Sequence, residues 1–90
     1  MVHRTRFEGE YRRLFSEYKY GTTIWSPLSS GILAGKYNEG VVPEGSRFDK
    51  HKDMLFDTWE EFFSDDKKGK TVKMLKGLAD YAKELGYTQA

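Results

Sequence analysis

Apolar residues recur at helical spacing in separate stretches of the chain. Phe7, Tyr11, Leu14, Phe15 and Tyr18 follow i, i+4, i+7, i+8, i+11, which is one stripe of a helix. Glu10, Arg12, Arg13 and Glu17 occupy its other face and read as a solvated surface. Thr5 and Glu8 have the spacing of a capping box that would start this helix. Gly9 weakens its first turn by about 1 kcal/mol relative to alanine, and Gly21 is placed to end it in a left-handed cap. Met54, Leu55, Trp59, Phe62 and Phe63 predict a short helix over 54–63. Val72, Leu75, Leu78, Ala79, Ala82 and Leu85 predict a longer one over 70–85, with Lys83 favourably placed in its last turn and Gly86 ending it. Thr88 is placed to cap a further helix.

The period changes only once. Thr22-Thr23-Ile24-Trp25 is β-branched and aromatic, and predicts a strand that stops at Ser26-Pro27 because proline cannot donate to a ladder. A lone parallel strand leaves its N–H and C=O groups unpaired, so partner strands would have to come from elsewhere. Gly31–Gly35 predicts a brief helical turn that presses Ile32 and Leu33 inward. Asn38-Glu39-Gly40 and Pro43-Glu44-Gly45-Ser46 are turn sequences. Residues 49–53 and 64–69 are polar and read as irregular; no repeat or low-complexity segment interrupts the order.

Composition narrows the function classes. With 90 residues the chain can form one small domain. Aromatic residues make up 16% of it, which suits either an aromatic-rich core or a segment that packs on a larger partner. A net charge of +1 supplies no field to draw nucleic acid or an anionic membrane. Without cysteine there is neither a disulfide framework nor a thiolate metal site. His3 and His51 lie far apart with no carboxylates at ligand spacing. Asp57, Glu60 and Glu61 lack the glycine loop and oxygen cage of a cation site, and read as a solvated acidic face. No metal site is expected. No long apolar run or secretory leader is seen, so a soluble, cytoplasmic chain is expected.

The candidate chemistry sits in Trp25 to Tyr37. Ser29, Ser30 and Gly31 are small, and small residues let a ligand approach backbone amides and hydroxyls that bind phosphate oxygens. Lys36 follows as a source of positive charge, although a lysine stem lying beside a half-buried Tyr37 explains the same pair of residues.

Trp25-Ser26-Pro27-Leu28, Gly31, Gly35-Lys36-Tyr37 and Pro43-Glu44-Gly45-Ser46-Arg47 resemble the aldo-keto reductase family. The match is best in the branch that contains the beta subunits of voltage-gated potassium channels and their fungal and bacterial relatives. Glu10–Phe15 and Gly86–Ala90 fit the same pattern, and residues 50–70 fit it least. The resemblance implies an α/β fold: a fragment of a (β/α)8 TIM barrel, mostly helical with one strand. It would cover the sixth helix, the seventh strand and the following loop. Residues 1–90 would then be a partial NADP-dependent oxidoreductase domain truncated at both ends. The resemblance implies NADP(H) as cofactor, with Trp25 near the nicotinamide. It implies that Ser26, Pro27, Leu28 and Ser30 line the cofactor, and that Lys36 and Arg47 serve its phosphates or adenine side. The family's catalytic Asp, Tyr, Lys and His would lie upstream of Met1, so no catalytic residue is assigned to this chain.

Three functions remain open at this point. The chain is expected to be the NADP(H)-binding segment of an oxidoreductase that transfers hydride between NADPH and an aldehyde or ketone, completed by the remaining barrel segments. Alternatively it belongs to a non-catalytic regulatory or scaffold subunit with a channel or homo-oligomer partner. The third reading is an inactive truncated fragment.

Overall fold

The computed structural model describes residues 4–90. The polar lead is therefore seen from Arg4 onward, and Met1, Val2 and His3 lie outside the described residues. The elements, in order, are α1 (Thr5–Glu8), α2 (Arg12–Ser16), a 3-10 segment (Ser29–Ala34), α3 (Arg47–Lys50), α4 (Lys52–Phe63) and α5 (Lys68–Glu84).

No strand occurs among the described residues. This corrects the α/β class, and with it the expectation of a TIM-barrel fragment carrying one strand. Residues 22–25 run irregularly and are exposed. The physical reason is that β-branched and aromatic residues favour a pleated, half-buried surface rather than an isolated extended backbone. Here no second strand offers ladder partners, and no layer covers the side chains. The expectation of a mostly helical chain agrees with the structure.

The first apolar stripe is split between two short helices. The Tyr11 N–H reaches back to the Arg6 carbonyl, and the Arg12 N–H then bonds forward-shifted to the Gly9 carbonyl, so the helical ladder widens and tightens across residues 9–11. Thr5 makes no capping hydrogen bond, because Arg4 occupies the cap position. Nor does Gly21 end the second piece. Lys19 takes the left-handed conformation instead (φ 58°), and its Nζ donates to the Ser16 carbonyl at 2.7 Å.

The core lies entirely in residues 28–90. The 3-10 segment contributes Ile32 and Leu33, as the sequence predicts, and the turn after it contributes Tyr37, which is 1% exposed. Phe48 comes from α3, Leu55, Phe62 and Phe63 from α4, and Leu75 from α5. Trp59 ties these together: it stacks on Phe63 at 4.2 Å between ring centroids and meets Tyr37 edge-on at 5.8 Å. Tyr37 also meets Phe48 edge-on at 5.1 Å. Aromatic pairs of this geometry add about 0.5–1.5 kcal/mol each beyond area burial. Residues 49–53, expected to be irregular, are mostly helical, because Ser46 caps α3 and Phe48 anchors it in the core.

Residues 4–27 form an arm outside that core. None of them is buried, and Phe7, Tyr11, Leu14, Tyr18 and Trp25 are exposed. The radius of gyration, 15.3 Å, exceeds the roughly 12 Å of a compact domain of this length.

Candidate functional site

The arm folds back on itself and encloses a groove. Phe7 and Phe15 approach to 4.6 Å between ring centroids across the break between α1 and α2. Residues 20–27 then run alongside these helices. The groove between them has a volume of about 650 Å³, with Phe7, Tyr11, Tyr20 and Trp25 among its apolar walls and Thr22, Thr23 and Ser26 among its polar ones. The volume falls in the range of small-molecule sites, but the groove is open to solvent, with Phe7, Tyr20, Ile24 and Trp25 all exposed. Arg4 and Glu8, which also line it, form an exposed ion pair at 3.4 Å.

Trp25, Ser26 and Pro27 therefore share one wall, and Trp25, at 95% exposed, is the most open large hydrophobic side chain among the described residues. A bare indole beside a groove can stack on a planar ring. Leu28 departs from this wall and packs against the core.

Three serines in the next turn adopt the left-handed conformation: Ser26 (φ 46°), Ser29 (φ 48°) and Ser30 (φ 56°). This is costly for a residue with a Cβ, but short polar side chains offset the cost by bonding locally. The Ser26 Oγ accepts from the Ser30 N–H, and the Ser26 carbonyl accepts from the Ser29 N–H, each at 3.0 Å. The amides of Ser29 and Ser30 are thus engaged inside the turn. Anion contacts from this conformation fall to side chains.

Lys36 and Arg47 do not line the groove. Both are exposed, and neither forms an ion pair among the described residues. The structure thus gathers Trp25, Ser26 and Pro27 on one wall and joins Ser26 to Ser30, while Leu28 serves the core and the two cations stand apart from that wall.

Several polar contacts near these residues go beyond the sequence reading. Asn38 and Gln89 exchange amide hydrogen bonds: Asn38 Nδ2 donates to Gln89 Oε1 at 2.8 Å, and Gln89 Nε2 donates to Asn38 Oδ1 at 3.2 Å. Lys76 on α5 pairs with Glu39 at 2.9 Å. Residue separations this long leave no trace in local patterns. Ser46 and Asp49, by contrast, have the spacing of a helix start that a closer reading finds. The Gly45 N–H and then Lys52 hold the Asp49 carboxyl below its usual pKa, and the Ser64 hydroxyl does the same for Asp66. Among the described residues no group of three or more His, Cys, Asp or Glu could hold a metal ion, and no helix is long and apolar enough to cross a membrane.

The helical architecture and the aromatic groove describe a small unit with an exposed apolar arm. Comparison with known proteins places it beside one class of name. The chain is similar to a probable voltage-gated potassium channel subunit beta of Arabidopsis thaliana, 37% identical over 92 aligned positions that cover all of this chain and 26% of that protein. A rice (Oryza sativa subsp. japonica) protein of the same name is 38% identical over 89 positions, 97% of this chain and 25% of its own length. A Schizosaccharomyces pombe protein, also named as a voltage-gated potassium channel subunit beta, is 59% identical over 44 positions, 49% of this chain and 12% of its own. The chain spans about a quarter of the length of the two plant relatives. No family model matches it, and no solved structure does so with significance.

Proposed function

We propose that the chain is the NADP(H)-binding segment of a longer aldo-keto reductase-like protein related to the potassium channel beta subunits. The single observation that carries this reading is the exposed indole of Trp25 beside Ser26 and Pro27 on the wall of the aromatic groove. An open aromatic wall of this size fits a nicotinamide ring. Ser26 borders it with a hydroxyl, and Ser30 is joined to Ser26 in the adjoining turn. Lys36 and Arg47, exposed and without ion-pair partners among the described residues, are cations available to phosphate. Leu28 fixes the turn to the core. The cofactor, when bound, supplies hydride for an aldehyde or ketone; this chain's residues bind and orient it and assign no proton donor.

Tyr18, exposed beyond the groove, and the open rim of the arm are the surface that we assign to the remaining parts of the longer protein. Alpha-helical arms of this kind gain their stability from packing rather than from propensity. We place the protein in the cytoplasm and outside the nucleic-acid binders. The second reading, a regulatory subunit partnering a channel or a second copy, is favoured by the names of the relatives. Aldehyde turnover by the longer protein separates the two readings.

Cofactor binding is tested by NADPH titration of the longer protein, followed by fluorescence. A charge-assisted hydrogen bond to phosphate is worth about 1.5–3 kcal/mol. Lys36→Met or Arg47→Met is therefore expected to raise the dissociation constant roughly ten- to a hundredfold, with little change in the hydride step at saturating cofactor, since ground and transition states use the contact alike. Unchanged dissociation constants for both variants count against the assignment.

A further inference from the structure

The turn that carries Lys36 is fixed on either side of it. Gly35 has a positive φ of 92°, and Gln89 lies against its Cα so closely that an added Cβ would stand 3.4 Å from Gln89 Oε1. Tyr37 is locked in the core. Asn38 trades hydrogen bonds with Gln89, and Glu39 is paired to Lys76 of α5. Between these anchors Lys36 is exposed and makes no ion pair among the described residues. A backbone held this firmly around a free cation is the arrangement of a presented charge.

Gln89 reaches the turn because α5 ends in a reversal. The Tyr87 N–H bonds to the Ala82 carbonyl at 2.9 Å and the Gly86 N–H to the Lys83 carbonyl at 3.1 Å, with Gly86 in the left-handed conformation. This is a Schellman cap, and it turns the tail back. Tyr87 and Thr88 stay exposed, and Gln89 returns to half-burial against Gly35 and Asn38. Two carboxamides facing each other satisfy a donor and an acceptor on each side, and partial burial keeps water from competing for them.

We propose that Gln89 is a positioning residue for Lys36. Acting through Asn38, it holds the turn in the shape that presents the Lys36 ammonium to an anionic ligand group. The inference rests on the cofactor reading of Lys36 given above, and it deepens that reading by assigning a role to the tail.

The test has two arms. In the 90-residue chain, hydrogen exchange of the Gly40 amide, which donates to the Tyr37 carbonyl at 2.9 Å, reports whether the turn is held. Gln89→Ala and Asn38→Ala are each expected to lower its protection by at least about fivefold, and the double variant no further, because either one removes both hydrogen bonds. The exchanged pair Asn38→Gln with Gln89→Asn, which keeps two carboxamides and their summed length, is expected to restore it. Protection unchanged in both single variants overturns the proposal. So does protection that falls equally in the exchanged pair.

In the longer protein, NADPH titration separates positioning from general loosening. Gln89→Ala is expected to weaken binding severalfold in the wild type and to have no effect once Lys36 is replaced by methionine. Equal effects in both backgrounds overturn the positioning role while leaving the cofactor reading in place. A wild type that does not bind NADPH removes the cofactor reading and the positioning role together, and the exchange arm then shows whether the tail still clasps the turn.

Discussion

Ser46 starts α3 with its side-chain oxygen, which accepts from the Asp49 N–H at 3.4 Å, and Asp49 replies by accepting from the Gly45 N–H at 2.9 Å. Ser46 is buried, so its loss removes a cap and leaves an amide poorly served. Ser46→Ala is expected to cost about 1 kcal/mol, read as a lower denaturant midpoint at unchanged slope. The Asp49 contribution has a defined pH window. Its folded pKa lies below the ordinary 3.8, first through the Gly45 N–H and then through Lys52. The stability it gives is therefore complete above the unfolded pKa and disappears as pH falls through the lower folded value. Asp49→Asn is expected to flatten that part of the acid limb and to leave the shape of the curve near neutrality unchanged. Identical acid limbs for the variant and the wild type would count against the cap. At the same scale, the serine turn was legible as small and hydroxyl-rich. Its internal bonding was not, because the left-handed conformation of Ser26, Ser29 and Ser30 follows from local hydrogen bonds that composition does not reveal.

Two elements, α4 and α5, supply four of the eight buried core side chains among the described residues, and their amphipathic spacing makes them readable. Leu75 has no exposed surface and sits where α5 meets the core. Leu75→Ala is expected to cost about 2–5 kcal/mol, with loss of the Trp59 fluorescence signature as the Tyr37–Trp59–Phe63 cluster loosens. Leu85→Ala, on the same predicted stripe but half exposed at the end of the helix, is expected to cost clearly less. Equal costs would mean that the stripe alone, rather than burial, sets the energetics. Where sequence reading failed, each failure has its own cause. The stripe over residues 7–18 is regular, but periodicity is blind to the shift of hydrogen-bond register at residues 9–11 that splits it between α1 and α2. Thr22–Trp25 has β composition, and whether such a segment becomes a strand depends on a neighbour that lies outside its own sequence. Helix α3 is a single turn with one buried side chain, too short to show a period. The Asn38–Gln89 and Glu39–Lys76 contacts join distant residues and exist only once α5 and its tail are in place.

At the scale of the whole molecule, the chain divides into a core and an arm that obey different energetics. Residues 28–90 bury apolar side chains from each helical element and from the Tyr37 turn. Residues 4–27 bury none, although they hold Phe7, Tyr11, Leu14, Tyr18 and Trp25. Ordering a residue costs about 1–2 kcal/mol of conformational entropy, and only burial or hydrogen bonding offsets it. Short helices such as α1 and α2 are marginal without packing, and their ion pairs, Arg4–Glu8 and Arg13–Glu17, are exposed pairs of the kind that contribute little. The arm should therefore open first. In the isolated chain, limited proteolysis is expected to cut between residues 17 and 27 before it touches α4 or α5. Heating is expected to melt the arm ahead of the core, so that the helical far-ultraviolet signal falls in two stages, not in one shared transition. A single sharp melt of the monomer, with cleavage in the arm no faster than in α5, would mean that the arm is stabilised within this chain and needs no covering surface. Protection of the arm that appears only when the rest of the longer protein is present is the outcome the exposed stripe predicts.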